Sequence, residues 1–91
     1  MACRIDRLLT DKDVVVLRVS GRITGDGADV LRSAIDQERG AVVIDLKEVG
    51  LIDRAAVTLL AFTEAEGIEL RNCAAYIREW IDRERPPLQT G

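Results

Sequence analysis

A single α/β domain built on one mixed sheet is what the 91 residues specify, and three observations point to it. Two apolar, β-branched runs, VVVLRVS at 14–20 and AVVIDL at 41–46, read as strands, the second as continuous as buried parallel strands are. The stretches after them carry apolar residues at helical spacing and are closed by glycine or proline. The length suits one domain, and a hydrophobic fraction of 47% supplies a core of Val, Leu, Ile and Ala, since Phe62, Tyr76 and Trp80 are the only aromatics.

Taken in order, residues 3–9 alternate Cys3, Ile5 and Leu8 or Leu9 with Arg4, Asp6 and Arg7, as an edge strand does. Asp11-Lys12-Asp13 is a polar turn, so this strand and Val14–Ser20 make an antiparallel hairpin. Gly21–Gly27, GRITGDG, reads as a glycine-rich loop. A helix fits Ala28–Gln37, with Ala28, Leu31 and Ile35 on one face, Val30 and Ala34 beside them, and Thr24 or Asp26 in position to cap it. Asp26 and Asp29 suit the helix dipole there. Gly40 ends that unit and Ala41–Leu46 is the next strand. Asp53–Ala65 is a second helix with Ala56, Val57, Leu59, Leu60 and Thr63 as its apolar face, stopped by Gly67. Ile68–Leu70 is a short strand. A last helix, Ala74–Arg83, turns Tyr76, Ile77, Trp80 and Ile81 inward and ends before Pro86-Pro87. The domain thus covers residues 1–85, and 86–91 form a flexible tail.

The order β-β-α-β-α-β-α implies an N-terminal antiparallel hairpin followed by parallel βαβαβ, with right-handed crossovers and the helices packed on the sheet. Ligand and partner sites in such sheets gather at the carboxyl ends of strands, here the loops 21–27 and 49–54.

Composition excludes several functions. A net charge of −3 and few aromatics argue against nucleic acid. No run of about 18 apolar residues is present for membrane insertion, and the N-terminus, MACRIDRLLTDKD, is charged throughout, unlike a signal peptide, so a cytoplasmic protein is expected. Cys3 and Cys73 are far apart in sequence and there is no histidine, which leaves no expected metal site, redox pair or cofactor. GRITGDG lacks the Lys and Ser or Thr of a phosphate loop, which argues against nucleotide binding. Cys73, ahead of the last helix, reads as a packed small residue rather than a reactive thiol, with no resolving cysteine nearby in sequence. Asp45 and Asp53 are two carboxylates without a nucleophile or histidine beside them in sequence, so no enzyme is expected; Asp53 is a helix N-cap and Asp45 a tie for a loop.

The pattern resembles the STAS domain, the fold of bacterial anti-sigma factor antagonists and of the cytosolic ends of sulfate transporters. VVVLRVSGRITGDGADVLRSAI resembles the family's second strand, its turn and first helix. AVVIDLKEVGLIDRAAVTLL resembles its third strand and regulatory helix, and GIELRNCAAYIREWI its last strand and helix. The resemblance implies a transcription-regulating, protein-binding module that docks on an anti-sigma factor with serine kinase activity. In the antagonists the regulatory motif is Asp-Ser-x-Gly, and the serine is phosphorylated. Here it is Asp53-Arg54-Ala55-Ala56, so the phosphoacceptor position holds Arg54, which cannot be switched by that chemistry. Thr58, one turn further, is the nearest hydroxyl and the only phosphoacceptor candidate on that turn. The resemblance assigns partner binding to Ile23, Thr24, Gly25, Asp26, Asp53, Arg54, Ala55 and Thr58. An alternative role that it implies is a cytosolic accessory subunit of an ABC-type lipid transporter. The exposed N-terminal edge strand is also suited to pairing with a second copy.

Overall fold

Strand β1 (Arg4–Leu9) turns back on β2 (Val15–Ile23), then come α1 (Gly27–Asp36), β3 (Val42–Ile52), α2 (Arg54–Ala65), β4 (Glu69–Arg71) and α3 (Ala75–Glu84). The computed structural model describes residues 3–84. The expected tail at 86–91 and the proline stop lie outside the described residues. The four strands lie in sequence order, β1 antiparallel to β2 and the β2–β3 and β3–β4 pairs parallel. This is the expected mixed sheet.

The hairpin turn is held by its own polar groups. Thr10 Oγ1 accepts from the Val14 amide at 3.2 Å, and Asp13 takes a left-handed φ of 61°, a conformation that aspartate tolerates.

Alternation along the strands sorts the sheet into two faces. Leu17 and Val19 of β2 and Ile44 and Leu46 of β3 are buried against Leu31 of α1, Val57 and Leu60 of α2, and Ile77 and Ile81 of α3. All three helices therefore contribute to one core on one face. On the opposite face the register aligns Asp6, Arg18, Asp45 and Arg71 across the four strands, so opposite charges alternate.

Both central strands run longer than their apolar runs suggested. Gly21–Ile23, assigned to a loop from its glycines, extends β2, and β3 reaches Ile52 instead of stopping at Leu46. The reason is bulging. Arg18 faces Asp45 and Ser20 faces Glu48, so β3 carries an extra residue there, and a second one lies between Val49 and Leu51. Leu46 and Lys47 occupy the first bulge, between the Arg18–Asp45 and Ser20–Glu48 pairs. The Asp45 carboxylate accepts the Lys47 amide at 2.9 Å and the Asn72 side-chain amide at 3.1 Å, which ties the bulge to the end of β4. Tyr76 donates its hydroxyl to the Gly50 carbonyl at 3.4 Å beside the second bulge.

Several side chains depart from the expected faces. Val30 of α1 is about half exposed, and so is Tyr76 of α3, while Trp80 is only partly buried. A ten-residue helix on a small sheet buries a narrow stripe, here Ala28 and Leu31 in α1 and Ile77 and Ile81 in α3. α1 begins at Gly27 with Asp26 at the cap position, but neither Thr24 nor Asp26 caps it with a side chain. Instead the Thr24 carbonyl accepts the Gly27 amide at 2.9 Å and the Asp26 carbonyl accepts the Val30 amide at 3.0 Å.

Candidate functional site

The lengthened strands shrink the two loops at their carboxyl ends. Only Thr24, Gly25 and Asp26 separate β2 from α1, and only Asp53 separates β3 from α2. The Asp53 amide still pairs with the Ile23 carbonyl at 3.1 Å, so the sheet ladder runs up to the first residue of the helix. A surface built on such short connections is held in place by the sheet itself.

Asp53 organises this end. Its backbone is extended, and one carboxylate oxygen accepts the Ala56 amide at 3.0 Å, which makes it the N-cap of α2 as expected. The other oxygen accepts the Gly25 amide at 2.9 Å, a long-range contact that sequence reasoning missed. Gly25 has φ of 56°, and this left-handed turn aims its amide across the gap, where a side-chain-bearing residue would be strained. The Ala56 amide first and the Gly25 amide second hold the Asp53 carboxyl below the usual carboxylate range. One side chain thus joins both loops.

Around that clasp the residues assigned to partner binding separate into two sets. Gly25, Asp26, Arg54 and Ala55 are exposed, with Thr24 and Asp53 half-buried beside them. Ile23, assigned with them, is fully buried in the core and offers no surface to a partner. It is the last residue of β2 and its alternation turns it toward the helices. Arg54 projects outward with a side chain 79% exposed, 3.8 Å from the Glu84 carboxylate at the end of α3. Exposed pairs of this kind contribute at most about 1 kcal/mol, so the guanidinium stays available.

Thr58 is half-buried rather than fully on the outward face with Arg54. It lines a groove between α1 and α2, with Ala28 and Ile35 on one side and Ala55, Leu59 and Phe62 on the other. The groove was not apparent from sequence. Its one signal was Phe62, an aromatic residue on the otherwise outward face of a helix.

The remaining chemistry is sparse. Burial pushes the thiols of Cys3 and Cys73 up, away from the thiolate form. Asp45 is held below the usual range: burial opposes ionisation, but the Lys47 amide, the Asn72 side chain and the Arg18 charge together outweigh it. Among the described residues no three His, Cys, Asp or Glu side chains come together as a metal site, and no helix is long and apolar enough to cross a membrane.

Comparison with known proteins places this geometry. No family model and no curated protein matches the chain. Among solved structures, it is similar to an antisigma-factor antagonist STAS domain from Rhodobacter sphaeroides, with a TM-score of 0.58, 21% identity, and 77% of this chain and 84% of that one covered. It is also similar to the anti-sigma factor antagonist SpoIIAA in its unphosphorylated form, with a TM-score of 0.65, 16% identity, and coverage of 97% and 90%. At these identities the likeness establishes the fold, a four-stranded mixed sheet with three helices, and the functional reading rests on the residues of the site.

Proposed function

We propose that this chain with the STAS fold is a non-enzymatic regulatory module that binds a protein partner as anti-sigma factor antagonists do. Its docking surface is the Thr24–Asp26 loop together with the start of α2, with Arg54 in place of the switchable serine. The observation that carries the reading is the Asp53 clasp: one carboxylate accepts the Gly25 amide at 2.9 Å and the Ala56 amide at 3.0 Å. It makes two segments 28 residues apart in sequence into one rigid exposed surface. Rigid presentation lowers the ordering cost of binding.

Arg54 gives that surface a permanent positive charge where phosphorylation would place about −1.5 to −2. The module therefore stays in one binding state at this position, and its partner carries a complementary acidic group. Thr58 is the nearest hydroxyl for any phosphorylation, but its half-buried position in the groove restricts access.

Affinity capture with wild type and Arg54→Glu side by side, read by mass spectrometry, tests the reading. An anti-sigma factor with a kinase-type ATPase domain is expected on wild type and not on the variant. Arg54 is exposed, so the substitution leaves stability within about 0.5 kcal/mol. Identical capture by both baits would remove Arg54 from the interface. Capture of ABC transporter subunits by wild type would move the protein to the transport-accessory role.

A further inference from the structure

Helices α1 and α2 follow successive parallel strands onto the same face of the sheet and so run side by side, leaving a groove of about 490 Å³ between them. Its floor is apolar, from Ala28 and Ile35 of α1 and Leu59 of α2. Phe62 forms a wall of it and is 55% exposed, the largest apolar side chain that the described residues leave so open. The Thr63 hydroxyl beside it is already bonded to the Leu59 carbonyl at 2.7 Å. The rim is acidic. Asp29, Asp36 and Glu66 stand along it, and the one cation there, Arg32, lies 4.0 Å from Asp36. Asp29 and Glu66 are left without an ion pair among the described residues.

We propose that this groove receives a basic amphipathic helix of a protein partner. The proposal rests on the reading of the chain as a protein-binding module and names the kind of segment that it takes. A third helix laid between two parallel ones packs its ridges into their groove at about 8–10 Å between axes. From Ala55 to Glu66 the α2 wall is about 16 Å long at 1.5 Å per residue, which is three turns. Apolar side chains at i, i+3 or i+4, and i+7 of the incoming helix meet Ala55, Leu59 and Phe62 in turn, and Lys or Arg on its flanks meet Asp29 and Glu66. An extended peptide has no strand edge to pair with between two helices. A second copy of this chain would set one acidic rim against another, and anionic lipid or nucleic acid is repelled for the same reason.

The test is a display library of helical peptides with randomised surface positions, selected on the full chain alone, each winner then being measured on Phe62→Glu. Phe62 is largely in solvent, so that variant folds; circular dichroism and a melting curve check it. The expected winners carry an apolar stripe at helical spacing flanked by Lys and Arg. A winner should then lose about tenfold or more in affinity on Phe62→Glu, the scale of an aromatic anchor, and several-fold on Asp29→Lys/Glu66→Lys, with a weaker salt dependence. Winners that are acidic, lack helical spacing or bind Phe62→Glu as well as wild type would overturn the proposal, as would a selection that yields none. Partner capture on Phe62→Glu separates this from the broader reading. A partner kept by Phe62→Glu and lost by Arg54→Glu sinks the groove alone; a helix that binds the groove while Arg54→Glu captures everything that wild type does sinks the α2-start interface alone.

Discussion

Removing the Asp53 carboxylate should loosen both halves of the site at once. Asp53→Ala deletes the N-cap of α2, a loss of about 1 kcal/mol, and frees the Gly25 amide, a charge-assisted bond whose half-exposed setting brings it to about another 1 kcal/mol. The sum, about 2 kcal/mol, corresponds to a fall in Tm of about 8–16 °C for a domain of this size. Thermal and urea melts followed by circular dichroism measure it, and amide exchange at Gly25 and Ala56 localises it. pH supplies a second signature. The carboxyl is depressed in the folded state, chiefly by the Ala56 amide, so its contribution is full above the unfolded value of about 3.9 and disappears as pH falls through the lower folded value. The stability gap between wild type and Asp53→Asn should therefore narrow as pH drops below about 4. A variant Asp53→Ala that melts within about 2 °C of wild type, with the Gly25 amide still protected, would refute the clasp.

Three further outcomes follow from the same geometry. Gly25→Ala meets no neighbouring atom within 4 Å, so its cost is backbone alone, about 1–2 kcal/mol from the left-handed φ of 56°, and Gly25→Asn should recover part of it in the same melts. Leu60→Ala, at a fully buried position in the core, should cost about 2–5 kcal/mol and leave little folded protein at 37 °C, as read by urea titration. The thiols of Cys3 and Cys73, half-buried and raised by burial, should react with a disulfide reagent at pH 8 far more slowly in the folded protein than in urea; equal rates would contradict their placement.

Local pattern was enough for the order of elements, the mixed sheet and the N-cap of α2, but not for the cap of α1. VVVLRVS and AVVIDL announced their strands because β-branched runs have few other uses, and Asp53 announced itself as a cap because the amide that it accepts lies three residues away. The strand ends were misread because β3 continues through a bulge at Lys47, and polar Glu48 and Gly21 sit in the ladder opposite Ser20 and Val49; pairing with a neighbour decides such things. Ile23 was placed on the surface for the same reason: its face is fixed by register, which no single segment contains. The clasp from Asp53 to Gly25 and the groove flanked by Asp29 and Phe62 join residues that are distant along the chain. Periodicity sees only neighbours within a turn or two, whereas these contacts exist because two crossovers stack their helices on one face of the sheet.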